Sequence, residues 1–499
     1  MSLGLLDLAV LGAYALAILA VGLWFGRGER STHDYFLGGK QQNWLVVGMS
    51  IIATEVSALT FIGVPAVSFK EDWNYLQMYA GSFIGRVLIV FLLLPAFYGS
   101  AVTTVYEYLG RRFGPWTRTT ASLMFFASRI VGSGIRLLAA SLAIAVVFDW
   151  PLTWVVIGAA SIAVAYTTFG GIKAIIWTDA LQALVFLAGG LAVIVFLFVV
   201  TPGTWQENLS SSWNAGKLHT FTWKLSPNNE KTFWVLLIHA TLFNMAALGT
   251  DQDLTQRMLT CPDLRHGQRS LMFNAFAGFP IVCLFLLIGT LMFTYYDANA
   301  ASRIPPSVLE RNDRIFPHFI AQVLPSGYGL KGLLVAGVFA AAMSSLDSAL
   351  GALSSTAVTD FYRPWLRRRG GGGMGISERH FLGAARVFVL LFGALLVAVA
   401  LAFAHYDDLL WEAFRWVGLI FGGMLGIFLV AVTTKDRGDD RFNTLAMLSS
   451  VAVLVAIKLL QERWDAAYIA WPWWVVIGTG WTYIIAICRR TVRASPTRK

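Results

Sequence analysis

Four polar side chains, Thr54, Glu55, Ser57 and Thr60, fall within seven residues of the stretch SIIATEVSALTFIGVPA at residues 50–66, flanked by apolar residues. A charged side chain near the centre of a membrane helix costs about 2.5–3.5 kcal/mol on insertion scales, and such residues mark pathways or binding sites. Gly63 and Pro65 follow closely. Backbone at that depth breaks its helix only where it lines a cavity or is buried in protein, and the freed carbonyls can then bind a cation. For Ser57 and Thr60 alone, an intact helix bonded to its neighbour is an equal reading; Glu55 tips the balance to a site.

A second cluster is AAMSSLDSAL, residues 341–350. Ser344 and Ser348 are four apart and Ser345 and Ser348 three apart, so they share a helix face, with Asp347 on the adjacent one. Magnesium and calcium sites draw on more carboxylates than this; sodium suits hydroxyls with one carboxylate. Tight packing through small residues also accounts for the serines, though less readily for Asp347. Asp179 and Gln182 lie one turn apart in GGIKAIIWTDALQALVF, where Asp179 is either a site group or a carboxylate near a helix N-terminus. Asn244 interrupts an apolar run that Gly249-Thr250-Asp251 would unwind, and Arg257 beyond it reads as a cytoplasmic anchor. Arg86, Arg129, Arg136 and Arg415 also fall inside apolar runs, either in ion pairs, at an anionic solute or snorkelling to an interface.

The elements that must position these groups are membrane helices. The 499 residues are 57% hydrophobic and 13% charged, about half the charge of an ordinary soluble chain. The runs are too continuous for a transmembrane barrel, whose segments alternate over about 10 residues. Thirteen spans are predicted, near 4–26, 43–67, 76–100, 119–146, 151–170, 177–201, 232–250, 270–294, 328–352, 383–404, 409–433, 442–460 and 471–488. The first lacks the basic flank of a secretory signal and reads as a retained helix. One set of loops carries about two dozen Lys and Arg and the other about nine, which puts the N-terminus outside and the C-terminus in the cytoplasm. The same bias explains the net charge of +10 without nucleic acid. RRRGGGGMG at 367–375 lacks a P-loop ending and reads as a flexible linker. Cys261, Cys283 and Cys488 have no metal or disulfide spacing. No nucleophile–base pair supports an enzyme.

In order along the chain, DYFLGGK (34–40), ATEVSALTFIGVP, YEYLGRRFG (106–114), GGIKAIIWTDALQ, GTDQDLTQR, AAMSSLDSAL and LGIFLVAV (425–432) resemble the sodium/solute symporter family of sodium–galactose, sodium–proline and sodium–sialic acid transporters. The resemblance covers nearly the whole chain. It implies an all-α polytopic membrane protein with a leucine-transporter-like inverted five-plus-five helix repeat. The chain would be one transporter domain: an extra helix at 4–26, repeats at 43–201 and 232–433, and two further helices within 442–488. The first helix of each repeat, holding Glu55 and Asn244, would be interrupted near midmembrane.

The resemblance further implies an inner sodium site from the carbonyls of Ala53, Val56 and Ala341 and the hydroxyls of Ser344 and Ser345. A second sodium site would use Asp179, Asp347 and Ser348; Asp347 stands where relatives carry a hydroxyl and is alternatively a proton acceptor. Glu55, Ser57, Thr60, Gln77 and Asn244 fall where members contact solutes. Gly132 falls at the carboxylate-binding arginine of sialic acid members, flanked by Arg129 and Arg136. We expect Glu55 to face the solute and to be balanced by Arg136 when the site is empty. The expected function is sodium-coupled import of a small polar solute, a sugar, amino acid or carboxylate, across a bacterial inner membrane. Proton coupling in the same fold, or a non-transporting sensor or channel, are the alternatives. The expected partners are sodium, the solute and the bilayer.

Overall fold

The computed structural model describes residues 3–25, 31–168, 170–226, 228–299, 304–369, 377–464 and 469–490. Most of the glycine-rich linker and the tail after 490 lie outside them. The described residues form helices and no β-strand. The helices that matter here are α1 (Leu5–Phe25), α2 (Trp44–Glu55), α3 (Ala58–Lys70), α4 (Asn74–Ser100), α5 (Pro115–Phe148), α6 (Leu152–Thr167), α7 (Ile172–Val200) and α8 (Phe233–Gly249). They continue as α9 (Gln252–Met258), α10 (Leu264–Ala298), α11 (Asn312–Gln322), α12 (Leu330–Thr356), α13 (Glu378–Ala402), α14 (Leu409–Thr433), α15 (Asp440–Trp464) and α16 (Trp473–Ile487).

Among the described residues, nine helices are long and apolar enough to cross a membrane, or up to eleven if each of two bent pairs is one span. The expected count of thirteen is not reached on length. α6, entered from Pro151, keeps 16 helical residues, and α16, entered from Pro472, keeps 15. Two long connections between the predicted spans carry helices of their own. Segment 202–231 contains a helix, Trp205–Asn214, started by a reciprocal Thr204–Glu207 cap, and segment 295–327 contains α11.

Both bent pairs fall where the polar clusters lie. α2 starts at Asn43, whose side chain accepts the Leu45 N–H at 2.8 Å, and stops at Glu55. Val56 leaves helical geometry (φ −77°, ψ 70°), Ser57 is extended, and α3 departs at 58°. α8 runs through Asn244 and stops at Gly249. Asp251 then caps α9 by accepting the Asp253 N–H at 2.9 Å, and the bend is 67°. The second break therefore sits beyond Asn244, at the Gly-Thr-Asp signal.

Close packing brings the broken helices together. α12 lies against α7, α5 and α2, while α10 lies against α3 and α2. α4 meets α8 through Gly81 and Gly85, where an added Cβ would come within 2.2 Å of the Leu237 carbonyl and 2.7 Å of the Thr241 carbonyl. Two glycines four apart let the backbones approach as only small residues allow.

Outside the spans, α11 is clasped to the N-terminal end of α14. The Leu409 N–H donates to Asp313 Oδ2 at 3.2 Å, and Asn312 donates to Asp408 Oδ2 at 2.9 Å. Arg311 donates to the Tyr406 carbonyl at 2.6 Å and pairs with Asp407 at 3.1 Å. Burial pushes the Asp313 carboxyl up to about 7, against the opposing pull of the Leu409 N–H. The folded protein thus holds this proton more tightly than the unfolded chain, whose aspartates titrate near ~3.9. The stabilisation is complete below that value and is lost as pH rises through 7. Asp313→Asn is expected to melt at a higher temperature than the parent at pH 8 and to lose that advantage at pH 5; a pH-independent difference would contradict this.

Candidate functional site

A cavity of about 180 Å³ opens where α2 breaks into α3, walled by α4, α5, α8, α10 and α14. Glu55, Ser57, Thr60, Asn244 and Arg136 all line it, as the sequence led us to expect. Asn244 donates its amide to the Ala240 carbonyl at 2.9 Å. Phe243 packs its ring 5.1 Å from Phe414 and 5.2 Å from Phe421, so one wall is aromatic. Gln77 does not line this cavity. Its amide donates to Asn74 Oδ1 and the Lys231 carbonyl, and its Oε1 accepts the Thr222 N–H, so it fastens the segment that leads into α8.

Glu55 is balanced by a different arginine from the one expected. Arg86 of α4 pairs with its Oε1, and Asn274 of α10 donates to its Oε2 at 2.9 Å. Arg86 is 1% exposed, while Glu55 remains 32% exposed. Arg136, on α5, has no salt bridge to Glu55; its Nη1 is buried without a hydrogen-bond partner. Arg129 is also committed elsewhere, to Asp251 at 2.6 Å and Asp253 at 2.9 Å.

The inner cation set converges in space. Ala53 lies in the last turn of α2 and Val56 is its C-cap residue, a region where helix carbonyls have no intrahelical donor. Ala341, Ser344 and Ser345 on α12 are all fully buried. Thr54 Oγ1 lies 3.3 Å from Ser344 Oγ, which brings the end of α2 against this stretch of α12. Ser345 Oγ donates to the Ala341 carbonyl at 3.2 Å. Carbonyl and hydroxyl oxygens are the ligands a small hard cation takes, so the donor set fits sodium.

The second set is more dispersed. Asp179 Oδ2 accepts from Ser50 at 2.6 Å and from Arg257 at 3.0 Å. Asp347 Oδ1 accepts the Ser348 N–H at 2.8 Å, and Ser348 Oγ donates to Asp253 at 3.3 Å. Two carboxylate oxygens, Asp179 Oδ1 and Asp347 Oδ2, are buried without a hydrogen-bond partner.

A buried ion cluster that the sequence reading did not assemble links the two regions. Arg257 sits one turn after Asp253 on α9, contacts it at 2.5 Å, and joins it to Asp179. With Arg129 and Asp251, it ties α9 to α5 and α7. Arg257 is fully buried and is not a cytoplasmic anchor. Its spacing from Asp253 was the available signal, since residues four apart share a helix face. Removing one partner from a buried pair costs about 3–5 kcal/mol because it strands the other charge. Arg257→Leu is therefore expected to lower the melting temperature sharply, and Arg415→Leu, which removes a side chain 37% exposed and paired with Glu412 at 2.7 Å, to leave it nearly unchanged. Equal melting curves for the two variants would contradict the assignment.

Comparison with known proteins places the chain among relatives of the same fold. The sodium/sialic acid symporter of Proteus mirabilis is 28% identical over 462 residues, covering 91% of this chain and 90% of that protein. Human sodium-coupled monocarboxylate transporter 2 is 26% identical over 430 residues, covering 85% of this chain and 68% of that protein. A solved Na⁺-coupled sialic acid symporter in a substrate-bound outward-open state superposes with a TM-score of 0.84 at 26% identity, covering 97% of each chain. The profile of the Sodium:solute symporter family matches residues 35–438, and the chain belongs to that family.

Proposed function

We propose that this protein is a sodium-coupled secondary symporter that imports a small polar organic solute by alternating access. The observation that carries the proposal is the break of α2. On one side Thr54, in the last turn of α2, lies 3.3 Å from the buried Ser344 of α12, and Glu55, at the same break, lines a charged cavity on the other. One short turn of backbone thus touches both an oxygen-lined cation seat and the solute space.

The inner sodium ion would be held by Ala53, Val56, Ala341, Ser344 and Ser345. The solute would meet Glu55, Ser57, Thr60, Asn244 and Arg136. Glu55 accepts hydrogen bonds from hydroxyl or amine groups, and the unpartnered Nη1 of Arg136 is available to a carboxylate or other acceptor. An engineered cavity of about 150 Å³ admits benzene. A cavity of about 180 Å³ therefore favours a solute of amino acid or small carboxylate size, with a compact sugar at the upper end. Sodium at the α2–α12 seat stabilises the form with a completed solute site; both ligands then favour closure and release inside.

The corresponding breaks at Val56–Ser57 and Thr250–Asp251 support two inverted repeats, over 43–201 and 232–433. Counting α6 and α16 as spans that locally thin the bilayer brings the total to thirteen. That odd number puts the termini on opposite sides, and the loop bias puts the C-terminus in the cytoplasm. A second sodium ion would use Asp179, Asp347 and Ser348, taking up the unpartnered oxygens Asp179 Oδ1 and Asp347 Oδ2. The same Asp347 oxygen favours proton coupling as the second reading.

Thermal melts of the purified protein in sodium against potassium, at equal ionic strength, test the cation. A ligand present at 100 times its Kd stabilises by about 2.7 kcal/mol. Sodium is expected to raise the melting temperature and Ser345→Ala to abolish the gain; no preference for sodium, with uptake driven by a proton gradient, would select the second reading. Glu55→Gln is expected to weaken binding of the transported member of a sugar, amino acid and carboxylate panel more than it weakens sodium binding, read as solute affinity against the half-maximal sodium concentration. Equal solute affinity in this variant would remove Glu55 from the solute site.

A further inference from the structure

The Glu55 carboxylate belongs to a closed ring of three side chains. Arg86 Nη2 pairs with Glu55 Oε1, Arg86 Nε donates to Asn274 Oδ1 at 2.8 Å, and Asn274 Nδ2 donates to Glu55 Oε2 at 2.9 Å. Every side of the ring uses different atoms, so all three contacts hold at once. The members come from α2, α4 and α10. Ser82, one turn before Arg86, accepts from the remaining arm of the guanidinium. Arg86 and Asn274 are both 1% exposed, so the ring is a built part of the interior and not a surface pair.

Its place along the chain gives it a consequence. Glu55 is the last helical residue of α2, and the next residue already has ψ 70°. Helix ends fray when only their own hydrogen bonds hold them. The carbonyls proposed to bind sodium belong to Ala53 and Val56, on either side of Glu55. Their direction follows from the backbone that the Glu55 side chain anchors.

We infer that Arg86 and Asn274 are positioning residues for sodium: through Glu55 they fix the end of α2 so that the Ala53 and Val56 carbonyls stay aimed at the cation, which neither side chain touches. The inference rests on the inner sodium seat proposed above. Outer groups that orient metal ligands typically change metal affinity by 10–100-fold when removed, and the ring should act in the same way. It also fixes the carboxylate that faces the solute, so one device sets the geometry at both ligands.

The test uses the purified full-length protein and sodium chloride as the probe, with potassium holding ionic strength constant. Two quantities are read: the melting temperature in potassium alone, and the sodium concentration giving half of the full stabilisation. Asn274→Leu keeps the size and removes both hydrogen bonds without changing charge. Arg86→Lys keeps the charge and loses the planar fork that reaches three partners. Each is expected to raise the half-maximal sodium concentration about tenfold, the lower end of that range. A fall in melting temperature in potassium with no change in the half-maximal concentration would make the ring merely structural and overturn the inference. Ser345→Ala separates the two readings. Loss of sodium stabilisation in Ser345→Ala with none of the expected change in the ring variants leaves the seat standing and overturns the ring's role. Undiminished stabilisation in Ser345→Ala overturns the seat, and this inference with it.

Discussion

The structure depends on what happens to backbone carbonyls when a helix stops inside a membrane. Lipid cannot hydrogen-bond them, so a break is stable only where protein groups, trapped water or an ion satisfy them. α2 stops at Glu55, and Thr54 in its last turn lies 3.3 Å from the buried hydroxyl of Ser344 on α12. Removing that break would remove the proposed cation seat and the cavity together, because α3 would continue along the axis of α2 and not diverge by 58°. The polar residues near the break are therefore best understood as the cost of keeping it open and the means of using it.

Charge is handled by the same logic. Glu55 sits opposite Arg86; Asp251 and Asp253 sit opposite Arg129; Asp253 and Asp179 share Arg257. A buried charge without a partner is strongly unfavourable, whereas a paired and hydrogen-bonded one is tolerable. These pairs join helices that are far apart in sequence, α2 with α4 and α9 with both α5 and α7. They leave a few polar atoms unpartnered, among them Arg136 Nη1, Asp179 Oδ1 and Asp347 Oδ2. Those are the atoms that the proposed solute and cations would take up.

Much of this was legible in the sequence because a polar residue in an apolar run has few explanations. Glu55, Ser57, Thr60, Asn244 and Arg136 reach one cavity, and the Gly249-Thr250-Asp251 unwinding signal marks a real bend. Pairing between helices was not legible, because spacing reports only on one helix at a time. The sequence pointed to Arg136 as the partner of Glu55, whereas the arginine that reaches it is Arg86, on the helix that packs against α8 through Gly81 and Gly85. Gln77 was misread because it ends a tight turn, Asn74–Gln77, where the side-chain direction departs from the helix that follows. Arg257 was misread because hydropathy cannot distinguish a short helix folded back into the core from one at the membrane surface. The span count differs for a related reason: prolines at the entries of α6 and α16 shorten helices whose apolar runs are longer.

The central claim is that the break of α2 and the serines of α12 together hold sodium. Binding of radioactive sodium to the purified protein tests it without a known solute. The account predicts saturable binding that unlabelled sodium displaces and potassium does not, and that Ser344→Ala reduces severely while the variant keeps its fold in potassium. Saturable sodium binding of unchanged affinity in folded Ser344→Ala would place the ion elsewhere, and absence of saturable binding in the parent would contradict sodium coupling itself.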